Sequence, residues 1–346
     1  MYKFKKEFLT FLNIFSNNLN LDLLIRATGQ NLFLPFYHTV SNQELIHIKH
    51  LYPVRDEKRF KEDLHFLLKH FKPIAVDELS EIASGEKSAD ENSFFLSFDD
   101  GLSEIYDVIA PILKEMGIPA AFFVNSSFVD NKELFYRFKC SILVESIQSK
   151  PTSEAVQAKI DEVLVKHSNS TQSPVQRILA IKYDQKGVLD EIGALLEVDF
   201  AEYLNSNKPY LTTQQIEGLI EDGFVIGAHS EDHPEYSCLS LEEQLSQTQC
   251  SMQFLNEKFK IDSKLFSFPF TDYGVSKDFF RNIFDTGNNI ADISFGSAGL
   301  KKESFSNHFH RVAMDSSNLP AEKIIATEYL YYLLKAPFGK NSIART

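Results

Sequence analysis

Phe94-Phe95-Leu96-Ser97-Phe98-Asp99-Asp100-Gly101 is the stretch of sequence that reveals most about the architecture of this chain. An apolar run, typical of a buried strand, ends abruptly in two carboxylates and a glycine. Because successive side chains of a strand point to opposite faces, neighbouring aspartates at its end can point in different directions. One can then bind a metal ion while the other accepts a proton. On its own, however, Asp-Asp-Gly is more often a turn.

A second polar stretch, His229-Ser230-Glu231-Asp232-His233, also follows an apolar run, over residues 224–228. Two imidazoles four residues apart share one face if the segment is helical. With one aspartate of the first stretch they would form a set of two histidines and one carboxylate. Such a set binds Zn²⁺ or a similar ion and leaves positions open for water and substrate. A lone histidine pair is more often a solvated helix face, but both stretches end predicted strands, where α/β barrels carry their active sites.

Strands and helices are predicted to alternate along most of the chain. The predicted strands cover residues 31–37, 74–76, 94–98, 120–125, 224–228, 265–268, 290–295 and 309–314. The predicted helices cover residues 57–70, 102–116, 212–222, 241–258 and 278–284, and one more begins at residue 77. Alternation of this kind implies a parallel sheet, closed into a barrel or doubly wound.

Residues 131–208 interrupt this alternation. Three helix-like segments follow one another there, over residues 134–148, 153–167 and 176–196. We therefore predict a helical insertion after a barrel strand. The predicted organisation is an N-terminal helix over residues 1–30, a barrel over residues 31–320 that includes the insertion, and a C-terminal helix and tail over residues 321–346.

Composition narrows the class of protein. A chain of 346 residues that is 43% hydrophobic can bury a sizeable core, which favours one large domain with elaborations. The formal net charge of −13 argues against nucleic acid as a partner. The three cysteines are few and odd in number, which suggests a reducing compartment or no disulfide framework, and we expect them to be structural.

The N-terminus can be interpreted in two ways. It begins with a basic segment, Met1–Lys6, but polar residues interrupt the apolar stretch that follows, so neither a signal peptide nor a membrane span is predicted. Its periodicity favours a packing helix. The alternative is an amphipathic helix that touches a membrane surface through Lys3, Lys5 and Lys6. We therefore expect a cytoplasmic location, with peripheral membrane association as the alternative.

The two polar stretches resemble motifs of a known family. Ser97-Phe98-Asp99-Asp100-Gly101 resembles the (Thr/Ser)-Phe-Asp-Asp-Gly motif of the polysaccharide deacetylases, the NodB-homology family of carbohydrate esterases. The stretch 229–233 resembles their His-(Ser/Thr)-x-x-His motif. The resemblance covers roughly residues 32–130 and 210–315. It implies an α/β fold of the distorted (β/α)7 barrel type, a choice that periodicity alone does not make.

The resemblance also implies roles for individual residues. Asp99 would be the general base, and the backbone N–H of Phe270, after Pro269, would help to hold the oxyanion. The implied metal ligands are Asp100, His229 and His233. The implied ion is Zn²⁺, with Co²⁺, Ni²⁺ or Mn²⁺ as alternatives.

The third motif departs from the family pattern. It usually reads Arg-x-Pro-Tyr, but here it is Ser267-Phe268-Pro269-Phe270, so the arginine that orients the base is missing. Arg311 is a candidate to supply that charge from another strand. The alternative is that Arg311 is a surface or rim residue.

The remaining motifs are also altered. The fourth normally contains a tryptophan that forms one wall of the site. This chain has no tryptophan, and Phe295 is expected to take its place. His310, which matches the fifth motif (Leu-x-His) only loosely, is our candidate for the catalytic acid, in preference to His308. His38 ends the first strand and would face the site of a barrel. The alternative for His38 is a structural histidine beside Tyr37.

The function predicted from these residues is metal-dependent removal of N-acetyl groups from an amino-sugar-containing glycan or glycoconjugate. The sequence does not choose among polymeric, lipid-linked and nucleotide-linked sugars. One alternative is a catalytically weak glycan-binding relative, suggested by the lost arginine and tryptophan. The other is a hydrolase of a different amide or ester on the same barrel. An intact base beside an intact metal ligand favours activity, because a binding module needs neither.

Overall fold

Short strands alternate with helices along the residues that the computed structural model describes, 20–167, 172–285, 287 and 289–345. The strands are β1 (Leu32–Phe33), β2 (Pro35–Tyr37), β3 (Lys72–Pro73), β4 (Ser93–Phe94), β5 (Leu96–Phe98), β6 (Ala120–Val124), β7 (Val225–Ala228), β8 (Leu265–Ser267), β9 (Ile293–Gly296), β10 (His308–His310) and β11 (Val312–Ala313).

The α-helices of the same residues surround these strands. They are α1 (Leu21–Thr28), α2 (Glu57–His70), α3 (Val76–Ser84), α4 (Ala110–Met116), α5 (Tyr136–Ser149), α6 (Glu154–His167), α7 (Pro174–Leu179), α8 (Val188–Leu195), α9 (Phe200–Asn207), α10 (Thr213–Glu221), α11 (Leu241–Phe259), α12 (Lys277–Ile283) and α13 (Ala321–Lys335). A π-helical turn, Ile105–Ile109, leads into α4.

Eight of the strands form one parallel sheet in the order β10-β9-β8-β7-β6-β5-β2-β11. The two outer strands, β10 and β11, are consecutive in sequence and are separated only by Arg311. Strand β10 pairs with β9, and β11 pairs with β2, so one interrupted segment contacts both edges and nearly closes the barrel. Counted once, this segment gives seven strand positions, which confirms the predicted distorted (β/α)7 barrel.

The interruption corrects the prediction of one continuous strand over residues 309–314. The N–H of Arg311 donates to the Gly296 carbonyl of β9 at 3.0 Å, whereas the N–H of Val312 donates to the Leu34 carbonyl next to β2 at 2.8 Å. The backbone therefore changes partner strands within one residue.

Side chains of the barrel strands alternate between two apolar environments, as expected for strands. One set fills the barrel interior, where Phe95 and Phe295 stack with ring centroids 5.6 Å apart. Helix α3 adds apolar residues to this interior cluster, including Leu79. The other set, which includes Phe98 and Phe266, packs outward under the helices. The barrel is thus filled by side chains and carries its polar groups at the strand ends.

The insertion has an apolar core of its own. Helices α5–α9 lie within the predicted insertion, and their buried residues form a separate cluster that includes Phe138, Ile160 and Ile192. The helix predicted over residues 176–196 is divided into α7 and α8 by a 3-10 turn. Gly187, a poor helix former, lies just before α8.

Only the end of the predicted N-terminal helix falls within the described residues, as α1. The Asn20 side chain caps this helix by accepting hydrogen bonds from the N–H groups of Asp22 and Leu23. The membrane contact predicted through Lys3, Lys5 and Lys6 lies outside the described residues. Among the described helices, none combines the length and the apolar character that crossing a bilayer requires.

Gly227→Ala should destabilise the barrel. A Cβ at Gly227 would lie 2.5 Å from the Phe123 ring and 2.9 Å from the Leu265 carbonyl oxygen. Overpacking of this kind costs about 1–3 kcal/mol, which denaturant-induced unfolding would measure. Gly187→Ala is the matched control, because a Cβ added at Gly187 would meet nothing within 4 Å. Equal losses in the two variants would contradict the packing described here.

Candidate active site

The two polar stretches meet at the carboxyl ends of the barrel strands. Asp99 and Asp100 directly follow β5, and His229 directly follows β7. Strand β6 lies between β5 and β7 in the sheet, and its Val124 carbonyl accepts a hydrogen bond from the N–H of His229 at 2.9 Å. This is the end of a barrel at which active sites form.

Asp100, His229 and His233 form a compact set of possible metal ligands. The Asp100 Oδ1 atom lies 3.4 Å from His229 Nε2 and 3.1 Å from His233 Nε2. One ligand atom from each residue lies within 4.8 Å of the others, and all three residues are buried. No well-directed hydrogen bond reaches the buried Asp100 Oδ1. An orphaned carboxylate oxygen between two imidazole nitrogens fits a divalent cation.

The backbone of both stretches is strained where the ligands lie. Asp100 has φ +73° and His233 has φ +62°, and both values fall in the left-handed region that non-glycine residues rarely adopt. Gly101 follows with φ +62°, and a Cβ there would lie 2.9 Å from Val124 Cγ1, which explains the glycine. Residues 229–233 form a turn and not a helix, because Ser230 is also left-handed and its Oγ accepts a hydrogen bond from the N–H of His233.

The two imidazoles are held in forms suited to metal binding. His229 Nδ1 lies 2.8 Å from the Ser267 carbonyl oxygen, so Nδ1 carries the proton and Nε2 presents a lone pair. The His233 ring packs between Phe135 and Phe270, with ring centroids 4.4 and 4.5 Å away. Burial lowers the pKa of His233 despite the opposing effect of Asp100, which favours the neutral imidazole that a metal requires.

Arg311 forms a buried, two-pronged ion pair with Asp99. Arg311 Nη1 lies 2.8 Å from Asp99 Oδ1, and Nη2 lies 2.7 Å from Oδ2. Arg311 is 0% exposed, so it is not the rim residue of the alternative interpretation. Burial would raise the pKa of Asp99, but the charge and hydrogen bonds of Arg311, with smaller effects from His229 and His38, outweigh burial and lower it.

Ser267, which stands where the family has arginine, takes part in this ion pair. Its Oγ accepts a hydrogen bond from Arg311 Nη2 at 2.6 Å and donates one to Asp99 Oδ1 at 3.2 Å. Ser97 Oγ accepts from Arg311 Nη1 at 2.9 Å. A small side chain at position 267 therefore leaves room for a guanidinium that comes from the segment between β10 and β11, two strands away from β8.

His38 lies at the end of β2, the strand next to β5. Tyr37 pairs with Phe98, and the Asp99 N–H donates to the Tyr37 carbonyl at 3.0 Å, so His38 and Asp99 end adjacent strands. Asp315 Oδ2 lies 2.9 Å from His38 Nδ1. Burial would lower the pKa of His38, but Asp315, helped by Asp100 and Asp99, outweighs burial and raises it to about 10. No motif pointed to Asp315.

Comparison with known proteins identifies the family. The polysaccharide deacetylase family model matches residues 86–279, more than half of the chain. The chain belongs to the polysaccharide deacetylase family. No curated protein matches the chain.

Solved structures resemble this chain in fold. The Streptococcus pyogenes deacetylase PplD in complex with acetate has a TM-score of 0.54 and 12% identity, with 86% of this chain and 97% of that chain covered. IcaB from Ammonifex degensii has a TM-score of 0.52 and 14% identity, with coverage of 86% and 97%. A de-N-acetylase from Aggregatibacter actinomycetemcomitans has a TM-score of 0.51 and 13% identity, with coverage of 85% and 99%. At these identities the likeness shows the fold alone.

Two residues expected at the site lie elsewhere. Strand alternation directs Arg311 into the barrel and therefore His310 outward, where it lies 3.3 Å from Glu303. The structure thus does not bring His310, our candidate acid, to Asp99. Phe295 is buried inside the barrel, 5.6 Å from the Arg311 guanidinium, and does not form an open wall.

The helical insertion contacts the second motif through Asp232. Asp232 Oδ2 accepts hydrogen bonds from the Tyr183 hydroxyl and Lys186 Nζ, both at 2.6 Å. Gln247 Nε2 of α11 donates to the other oxygen at 2.9 Å. Asp232 immediately precedes His233, so the insertion fixes the turn that carries a possible metal ligand. A groove of about 1000 Å³ is lined almost entirely by residues of the insertion and reaches Asp232.

Arg311→Met should strongly destabilise the fold, because it leaves the Asp99 carboxylate buried without its cation. Removal of one partner of a buried ion pair costs about 3–5 kcal/mol, measurable by denaturant-induced unfolding. The control is Arg281→Met, which removes an exposed pair with Asp278 and should cost less than about 1 kcal/mol. A similar small loss in both variants would contradict a strong buried pair.

Proposed function

We propose that this chain is a metal-dependent hydrolase that removes N-acetyl groups from an amino-sugar-containing glycan or glycoconjugate. The observation that carries this proposal is that a candidate base lies next to a candidate metal ligand. A carboxylate that Arg311 keeps ionised, Asp99, lies directly beside Asp100, which faces two imidazoles. Metal-assisted amide hydrolysis needs a general base next to a metal ion that has open coordination positions, and three protein ligands leave such positions open.

Asp100, His229 and His233 would hold the metal ion. Two imidazoles and one carboxylate suit Zn²⁺, with Co²⁺, Ni²⁺ and Mn²⁺ as alternatives. When bound, the ion would lower the pKa of a water molecule and polarise the amide carbonyl. The hydrogen bond from His229 to the Ser267 carbonyl would keep the ligand nitrogen free of its proton.

Asp99 would act as the general base. A carboxylate has about four acceptor positions, so the two bonds from Arg311 and the one from Ser267 leave Asp99 one position at which to accept a proton from water. Arg311 would be a positioning residue, because it orients Asp99 and keeps it ionised. This assigns to Arg311 the task that the motif arginine performs in the family.

His38 would be the general acid in place of His310. Its ring lies at the end of the strand adjacent to Asp99, and Asp315 keeps it protonated at neutral pH. A protonated imidazole can donate a proton to the departing amine. The Phe270 N–H, which donates no hydrogen bond to any described residue, is available to hold the oxyanion. Phe270 itself has φ +55°.

Acetate release from N-acetylglucosamine oligomers tests the proposal directly. The chain should release acetate when supplied with Zn²⁺, lose this activity after chelation and recover it when the metal is returned. Simple acetyl esters serve as the comparison substrate. Preferential cleavage of the esters would favour the alternative of a hydrolase for another bond, and binding of the oligomers without release would favour a weak relative.

The base and the metal ligands should be separable by mutation. Asp99→Asn should keep stoichiometric metal but lose activity by a factor of about 10² or more at temperatures where it is still folded, because a general base contributes that much. Its lower stability, expected because Arg311 stays buried without its anion, is measured separately by denaturant-induced unfolding. His229→Ala should lose the metal as well. Metal analysis and acetate release distinguish the two variants. Near-normal activity of Asp99→Asn, or full metal content in His229→Ala, would refute the respective role.

Asp315→Asn should shift the alkaline limb of the pH dependence of kcat/KM to lower pH. The acid must be protonated, and loss of the Asp315 charge lowers the pKa of His38 from about 10. Asp278→Asn, which alters an exposed carboxylate, is the control. An alkaline limb at the same pH in both variants would show that His38 is not the acid.

A further inference from the structure

A second group of buried polar side chains lies on the outside of the barrel, away from Asp99. Its members are Asp272, Glu303, His308 and His310, which we call the outer cluster. His308 and His310 point outward from β10, Asp272 lies in the loop after β8, and Glu303 lies in the segment between β9 and β10. One ligand atom from each of the four residues lies within 4.8 Å of the others.

The centre of the outer cluster contains a cation from the tail of the chain. Arg345 Nη2 lies 2.6 Å from Asp272 Oδ2 and 2.7 Å from Glu303 Oε2. The same two oxygens face the imidazoles, because His308 Nε2 lies 3.4 Å from Asp272 Oδ2 and His310 Nε2 lies 3.3 Å from Glu303 Oε2. One guanidinium nitrogen thus occupies the position between two carboxylates, each backed by an imidazole.

Arg345 leaves two polar atoms of the outer cluster without a hydrogen-bond partner. Asp272 Oδ1 and His310 Nδ1 have no hydrogen-bond partner, although Asp272 is 2% and His310 6% exposed. These two atoms lie 3.8 Å apart, too far for a hydrogen bond. Both approach the backbone of Gly296, where a Cβ would lie 2.2 Å from Asp272 Oδ1 and 2.8 Å from His310 Nδ1. Only glycine permits this approach.

One nitrogen of Arg345 bridges the two carboxyl groups of the outer cluster, and the side chains of Asp272 and Glu303 are only 2% and 3% exposed. A divalent cation at the same position would contact both carboxyl groups and the imidazole nitrogens beside them.

We propose that the outer cluster is a second divalent-cation site, and that Arg345 fills the ion position in this structure and leaves it when an ion binds. Two imidazoles and two carboxylates supply four ligands of types that bind Zn²⁺. Ser294 Oγ, 2.7 Å from His308 Nδ1, orients this imidazole in the way that a neighbouring hydrogen bond orients metal ligands.

The exchange requires Arg345 to move while the backbone before it stays in place. The tail is held upstream by its pairing with Lys302, whose N–H donates to the Asn341 carbonyl at 2.8 Å and whose carbonyl accepts from the Ile343 N–H at 2.9 Å. Arg345 can therefore swing out while Ile343 stays in place. The ion must displace the stacking of Arg345 on Phe280, 3.9 Å from the ring centroid, and the bonds of Arg345 to Glu303 and Asp272.

Zn²⁺ binding by the full chain tests this proposal once the active-site set has been removed. In the His229→Ala/His233→Ala background, calorimetry with Zn²⁺ alone should show one bound ion. Adding His310→Ala should abolish this binding, whereas adding His65→Ala, which removes an exposed histidine of α2, should not. Absence of Zn²⁺ binding in the background and in its Arg345→Ala form would overturn the proposal.

The Arg345 variants test the exchange. In the same background, Arg345→Ala should bind Zn²⁺ at least about tenfold more tightly, because the competing cation is gone. Arg345→Lys, which keeps a charge but cannot bridge the carboxylates in the same way, should give an intermediate affinity and serves if Arg345→Ala does not fold. A lower Tm for the Arg345 variants that Zn²⁺ does not restore would mean that Arg345 is only a latch, and would overturn the cation site.

Discussion

The buried ion pair between Arg311 and Asp99 connects the closure of this barrel to its chemistry. Arg311 is the single residue between β10 and β11, where the backbone changes its partner from β9 to β2. Burial of a guanidinium and a carboxylate is costly unless their geometry and hydrogen bonds compensate. Here both prongs of Arg311 contact Asp99, and two serine hydroxyls complete the arrangement. The residue that completes the barrel is therefore also the residue that fixes the candidate base.

This ion pair removes one of the two reasons to expect a catalytically weak glycan-binding protein. A catalytically weak glycan-binding protein was suggested by two losses, an arginine and a tryptophan. The guanidinium of Arg311 lies where the lost arginine would be needed, against Asp99, so the first loss is no longer a reason to expect weak catalysis. The second loss is different, because Phe295 is buried inside the barrel and does not replace an exposed aromatic wall.

Local sequence was sufficient for the parts of the site that follow strands directly. Asp99, Asp100 and His229 could be predicted because each comes immediately after an apolar run, and parallel strands bring their ends together. His310 could not be assigned correctly from sequence, since the face to which it points depends on the interruption at Arg311. Nor could the partner of His38 be identified, because Asp315 is 277 residues away and meets it only through barrel closure. Motif matching thus found the residues at strand ends and missed pairings set by closure.

The bonds from Tyr183 and Lys186 to Asp232 have a consequence for how this protein can vary. The insertion could not be exchanged for another of similar shape, because two of its side chains donate hydrogen bonds to Asp232, the residue that precedes His233. A chimaera that inherits foreign helices over residues 131–208 would leave a partly buried carboxylate without two of its donors. The insertion and the second motif are therefore expected to change together. Divergence of the insertion should keep these three side chains together and change other positions instead.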